Sequence, residues 1–431
     1  MSSHAIAKIA PARSCAYTVL RRVFERGAYA DEALQAESRE LDARDRALAM
    51  RLAYGAVQRK GTLDHLIEAL AGRTVERLDP PLLAALRLGL YELLYLGGSP
   101  DYAVVGDAVE LAKRDARAGH GLVNAVLRRA AREGADALLG DLGDATPEQA
   151  AIKHSHPPWI ARLWWQALGA EEALALMAAD NEPGEVALRA NTLRMDANAL
   201  AAELPVSTHV DPQIPEALVL DQPLDIHASP LWNAGAFVAQ SRGAMLVART
   251  LAPQPGERVL DLCAAPGGKS THLAALMGGS GEVLAVERNR RRAGALVRTA
   301  ERLGASNVRV ELADATVTRT EGAVFDRVLV DPPCSGLGTL QARPDLRWRV
   351  TPEAIAEMSR MQAKILAAGA AALRPGGVLV YSTCTISATE NERLLDAFLG
   401  SNPDFGLDET LMTLPHRDHT AGFFIARLRR S

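Results

Sequence analysis

Cysteine is scarce in this 431-residue chain, aromatic side chains make up only 4% of it, and no apolar run is long enough to cross a bilayer. Four cysteines spread over such a length exclude a disulfide framework. They point to a reducing, cytoplasmic setting in which any special cysteine is a free thiol. With so few aromatics, Ala, Leu and Val must build the core, and a hydrophobic share of 48% is ample for that. Residues 1–13 lack the apolar stretch of a secretory leader. No C-x-x-C pair and no histidine at ligand spacing accompanies the cysteines, so no metal is expected. An excess of positive charge is missing too. The net charge is −4, so a polyanionic partner would have to be met by local basic stretches rather than by the bulk field. The candidates are Arg288, Arg290, Arg291 and Arg292, then Arg343, Arg347 and Arg349, although any one of these alone reads as part of a solvated helix face.

What is present divides into three textures. Residues 1–140 read as all-helical: Ala16, Val19, Leu20, Val23 and Phe24 follow the i, i+3, i+4, i+7 spacing, and so do Leu63, Leu66, Ile67 and Leu70. Leu86, Leu90, Leu93 and Leu94 repeat it, as do Val105, Ala108, Val109 and Ala112. Residues 134–147 read as a linker rich in Gly, Ala and Asp. Residues 148–250 read as a small α+β connector, with Trp159, Trp164 and Trp165 on its first helix and Pro-rich turns after it. From residue 251 to the end, short apolar strands alternate with helices. That pattern predicts a doubly wound, Rossmann-like α/β domain with a mostly parallel sheet, closed by a last strand at 423–428. Ligands bind such sheets at the carboxyl ends of the strands.

The first of these strands runs into Asp261-Leu262-Cys263-Ala264-Ala265-Pro266-Gly267-Gly268-Lys269-Ser270. Small residues let the backbone approach a ligand, and the helix that follows offers free N–H groups. The phosphate-binding G-x-x-x-x-G-K-[ST] loop is excluded, because Cys263 stands where its first glycine belongs. Glu287 ends the second strand, placed to accept from two ribose hydroxyls, and Asp314 follows the third, placed to accept from an adenine amino group. In this order the three features describe an adenosine-containing cofactor.

The fourth strand ends in Asp331-Pro332-Pro333-Cys334-Ser335-Gly336 and the fifth in Tyr381-Ser382-Thr383-Cys384-Thr385. Two thiols at the ligand edge of one sheet suggest chemistry, and polar backbone groups there are expected to lower a thiol pKa. Cys15, on the apolar side of a helix, and Cys263 read as packing residues instead. A pair of thiols beside an adenosine cofactor suits one reaction. C5 of cytosine is too weak a nucleophile to take a methyl group unaided, but a thiolate added to C6 makes C5 enamine-like. The C5 proton must then leave and the thiol be expelled, a release that a second cysteine can assist.

Residues 261–269, 331–336 and 381–392 resemble the RNA cytosine-C5 methyltransferases, and the helical N-terminal part resembles the NusB-like RNA-binding domain. Together they resemble the ribosomal RNA small subunit methyltransferase B family, also called Sun or Fmu. The resemblance implies S-adenosylmethionine as cofactor, 16S ribosomal RNA as partner and substrate, with cytosine 967 as the family's target, and a monomer free of membrane and metal. It implies Cys384 as the nucleophile and Cys334 as the cysteine that helps release product. Cys263, Ala264, Ala265, Pro266, Gly267, Gly268 and Lys269 would line the cofactor. Glu287 would hold its ribose, where the family more often has Asp; Arg292 would lie near it, and Asp314 would hold the adenine. Asp331 would face the methyl group and the target base. The chain departs from the family at Gln341, Ala342 and Arg343, where a basic pair is usual, and at Ser241 and Ala421, where acids are usual. Three alternatives remain at this level: a transfer-RNA substrate, a DNA cytosine methyltransferase, and a non-catalytic RNA-binding factor.

Overall fold

The computed structural model describes residues 9–318 and 322–431; the first eight residues of the stretch examined for a leader lie outside them. Among the described residues no helix is long and apolar enough to cross a membrane. The chain forms two units, one of residues 1–182 with 340–349, the other of residues 183–339 with 350–431.

The first unit is helical. The stripes seen in the sequence form its core: Val19, Leu20, Leu63, Ile67, Leu86, Leu90 and Ala112 are each fully buried. Cys15 is buried among them, a packing residue as expected. The stretch at 134–147 is not structureless, because Ala135–Gly140 forms a short helix. Residues 340–349 correct one sequence expectation. Arg347 was a candidate for meeting phosphates, yet it is fully buried. Its guanidinium donates to Ser155 O at 3.1 Å, Asn181 Oδ1 at 2.9 Å and Asp180 O at 3.0 Å. Burial pulls its pKa down to about 10. Arg349 is engaged as well, with Asp345 at 2.7 Å and Gly27 O at 2.8 Å. A buried cation survives only where acceptors surround it, so these two arginines belong to the packing of the helical unit. Arg343 remains exposed, as do Arg288, Arg290, Arg291 and Arg292 of the second unit.

The second unit carries two sheets. The smaller has order β2-β3-β1-β4 and is antiparallel throughout, from β1 (Ala187–Ala190), β2 (Thr208–Val210), β3 (Ala217–Leu220) and β4 (Phe237–Ala239). The larger comprises β5 (Arg258–Leu262), β6 (Glu282–Glu287), β7 (Val308–Leu312), β8 (Phe325–Val330), β9 (Leu373–Thr383), β10 (Phe405–Thr413) and β11 (Phe423–Arg430). Its order is β10-β11-β9-β8-β5-β6-β7, parallel from β7 to β9 and antiparallel across the last two pairings. The sheet is Rossmann-like, as the alternation predicts. It does not close on β11, because β10 lies outside it as the edge. The strand β10 escapes a pattern search for a physical reason: seven of its nine residues are exposed or half-exposed, and its register shifts at Leu407 and Glu409.

Helices pack on both faces through local signals. Thr351 caps Pro352–Ala372 by accepting from Ala354 N at 3.2 Å, with Pro352 at the first position. Asn289 caps Arg290–Leu303, and Gly304 ends it at φ +68°. Ser241, one of the departures from the family pattern, caps Arg242–Leu251.

Candidate active site

Every side chain singled out for chemistry sits at the carboxyl end of β5, β6, β7, β8 or β9, within the second unit. On the cofactor side, β5 leaves the sheet through Cys263, which adopts φ +65°, and Gly267, at φ +103°, before the helix Gly268–Leu276 begins. An open cleft lies here. It is lined by the polar Glu287, Arg292 and Asp314, with Cys263, Met361 and Ile365 among its less polar walls.

Glu287 is buried, and one carboxylate oxygen accepts from Asn289 N at 2.8 Å. The other lies 3.6 Å from Arg292, whose guanidinium also donates to Ala265 O at 2.9 Å. Arg292 thus ties the end of β6 to the turn after β5. Asp314 is exposed and accepts from the Thr316 backbone and hydroxyl, which hold its pKa below the usual value. Asp261, under the turn, is fully buried. One oxygen accepts from Ser270 Oγ at 2.6 Å and the other has no partner among the described residues. Burial, aided by the nearby Asp331 charge, raises its pKa to about 7. An orphaned carboxylate oxygen below the turn, a buried acid at the next strand and a cleft with Val286, Met361 and Ile365 among its walls fit an adenosine sulfonium. Cys263 is no nucleophile here: burial and the charges of Asp331, Asp261 and Glu287 push its thiol up to about 12.

On the cysteine side, Cys334 follows β8, Cys384 follows β9, and both keep some exposure. Their sulfurs stand 3.3 Å apart. The lowered thiol pKa expected at this edge is not what Cys334 shows. Its hydrogen bond to Cys384 and its burial raise it well above the ordinary value, with the Cys384 and Glu390 charges adding to them. Low dielectric disfavours a second thiolate beside the first. Next to the thiols, Asp331 accepts from Ser382 Oγ at 2.8 Å and from Lys269 Nζ at 2.8 Å. Burial alone would lower the Lys269 pKa, but the Asp331 carboxylate outweighs it and the net shift is upward. The pair joins the cofactor turn to the cysteine loop.

Reasoning from the sequence passed over two buried groups in this site, Glu390 and Asn391, both fully buried. They lie within the quoted stretch 381–392, but nothing in their spacing signals burial. It also gave no part to Arg189, fully buried on β1. That guanidinium donates to Gln240 Oε1 at 2.7 Å, Thr271 Oγ1 at 3.0 Å and Gly268 O. It fixes the start of the helix behind the cofactor turn.

Comparison with known proteins agrees with this geometry. Residues 248–429 match the family described as 16S rRNA methyltransferase RsmB/F. Residues 10–132 match the NusB family, and residues 156–227 match the ferredoxin-like domain of RsmF/B-like methyltransferases. The chain is 36% identical to a probable ribosomal RNA small subunit methyltransferase B of Synechocystis, over 97% of this chain and 99% of that one. It is 33% identical to its counterpart in Bacillus subtilis, over 97% and 98%. The crystal structure of PH0851 aligns with 97% of this chain and 99% of its own, at 27% identity and a TM-score of 0.79. A methyltransferase homologue from Pyrococcus horikoshii aligns with 67% of this chain and 99% of its own, at 27% identity and a TM-score of 0.59.

Proposed function

The chain belongs to the ribosomal RNA small subunit methyltransferase B family and is an S-adenosylmethionine-dependent ribosomal RNA methyltransferase; on that premise we propose that it methylates C5 of a cytosine in 16S ribosomal RNA, with Cys384 as nucleophile. The observation that carries this reading is the pair of sulfurs 3.3 Å apart at the ends of adjacent strands, beside Asp331 and Lys269.

The Cys384 sulfur, as a thiolate, adds to C6 of the base, and the electron pair of the C5–C6 double bond moves to C5. The cofactor supplies the methyl group that C5 takes. A general base removes the C5 proton, the double bond re-forms, and the bond from C6 to Cys384 breaks with its electrons returning to sulfur. Cys334 supports the last step of this sequence. As a protonated thiol it donates to the Cys384 sulfur, which favours that sulfur as leaving group. Asp331, held between Ser382 and Lys269, would face the target base and accept from its exocyclic amino group. Cys263 to Lys269, Glu287, Arg292 and Asp314 hold the cofactor. Residues 1–140 serve to bind and orient RNA, residues 148–250 connect, and residues 251–431 carry the reaction.

Incubation with RNA and cofactor, followed by denaturing electrophoresis, tests the assignment. Cys334→Ala is expected to trap a covalent protein–RNA adduct. Cys384→Ala and the double variant are expected to form none. An adduct in Cys384→Ala and none in Cys334→Ala would reverse the two roles. Bisulfite sequencing of ribosomal RNA from cells lacking the protein tests the base and the carbon: a cytosine that loses protection identifies the target, and unchanged protection refutes C5.

A further inference from the structure

Beneath the two thiols lies a buried carboxylate to which the reading above gives no part. Glu390 Oε1 accepts from the Ser335 backbone N–H at 2.8 Å and from Gln362 Nε2 at 3.0 Å. Its Oε2 accepts from the Ser335 hydroxyl. That hydroxyl has spent its proton on Glu390, so its 2.6 Å contact with Thr385 Oγ1 must be one it accepts. Ser335 follows Cys334 in the chain, and Thr385 follows Cys384. One carboxylate therefore organises the neighbours of both thiols. Gln362, from the helix Pro352–Ala372, also donates to Pro333 O at 2.9 Å, on the other flank of Cys334. Tyr381 OH donates to the Glu390 backbone carbonyl at 2.7 Å and so fixes the acid itself.

The two loops are not held alike. The loop of Cys384 has a second anchor, because Asn391 Nδ2 donates to Thr385 O at 2.9 Å while its Oδ1 accepts from Thr383 at 2.6 Å. The residues on either side of Cys334, in contrast, both lead back to Glu390 through Ser335 and Gln362. Attack on C6 needs Cys384 alone; release needs both sulfurs at their spacing. We propose that Glu390 is the positioning residue that holds Cys334 against Cys384, so that release of the methylated base depends on it while attack does not. This rests on the assignment of the two cysteines made above. The Glu390 charge acts in the same direction, adding to the Cys384 contact and the burial that keep the proton on Cys334.

The test compares Glu390→Gln, Ser335→Ala and Cys334→Ala in the full chain with 16S ribosomal RNA and S-adenosylmethionine. Gln keeps the size of Glu390 but places a donor where one of the three donors must be accepted. Steady-state turnover of Glu390→Gln is expected to fall on the order of 100-fold, the scale of a lost proton-transfer partner. Methyl transfer in a single turnover should be little changed, cofactor affinity by calorimetry should match the parent, and a denaturation-resistant adduct should accumulate. Ser335→Ala, which removes only the hydroxyl, should show the same split to a smaller degree, and it carries the test if Glu390→Gln fails to fold. Single-turnover transfer and steady-state turnover falling in equal proportion in both variants, without adduct, would overturn the proposal. So would parental turnover in both. An adduct in Cys334→Ala but in neither of the others would sink the role of Glu390 while leaving the cysteine assignment standing. No adduct in any of the three would sink the cysteine assignment itself.

Discussion

The two sides of the site are built differently. Around the cysteines, Glu390, Asn391, Ser335, Thr383 and Thr385 are buried and bonded to one another. Around the cofactor cleft, Glu287 is buried but Asp314 is exposed, and the Arg292 side chain is about half exposed. On the proposed mechanism, bond formation at C6 tolerates little displacement of sulfur, and the buried hydrogen bonds fix its surroundings in advance. A cofactor that must enter and leave at every turnover needs acceptors that solvent can reach. The contrast predicts that substitutions on the cysteine side change rates, and those on the cofactor side change affinities.

The largest effect is expected from Cys384→Ala. Its turnover should drop to background while calorimetric affinity for S-adenosylmethionine stays at the parental value. A loss of cofactor affinity of tenfold or more in that variant would erase the distinction between the sides. Next comes Glu287→Ala, which removes a buried charged acceptor. It should weaken cofactor binding by about 1–3 kcal/mol, read as a raised KM with kcat nearly unchanged at saturation. Equal losses in kcat and in kcat/KM would place Glu287 with the reacting groups. Asp314→Asn should cost less than about 1 kcal/mol of affinity, because an exposed charge is screened by water. If it matched Glu287→Ala, the cleft would be closed in solution rather than open.

The smallest effect is on stability. The Asp261 carboxyl stands near 7 when folded, against an ordinary value of 3.8, because it is buried. A carboxyl raised by folding contributes stability that is complete below its unfolded pKa and is lost as pH rises through the folded one. Melting temperatures of the parent should therefore decline from about pH 4 to above pH 7 more than those of Asp261→Asn. Parallel curves for the two proteins would mean that Asp261 is ionised in the fold throughout.

Much of the second unit was legible residue by residue. The apolar runs at 259–262, 283–286 and 325–330 fall inside the strands β5, β6 and β8, and the residues after them bear the acids, glycines and cysteines. The small β strands between residues 187 and 239 were expected as a class but not individually, since stretches of three or four residues carry too little periodicity. The arginines divided unpredictably. Arg343 and Arg347 are four residues apart in a similar setting, yet one is exposed and the other fully buried.

The alternation of strands and helices, the placing of the cofactor turn and the placing of both cysteines at strand ends were determined by the sequence alone. Hydrophobic period, capping residues and glycines act over a few neighbours, so they can be read in order along the chain. The tertiary structure decided that β10 rather than β11 forms the edge, that Arg347 sits among Ser155, Asp180 and Asn181, and that Cys334 keeps its proton beside Cys384. It also decided that Glu390 lies under Ser335, across 55 residues of chain. Each of these depends on groups remote in sequence meeting at low dielectric. There a charge or a proton is stable only with the partners that folding supplies.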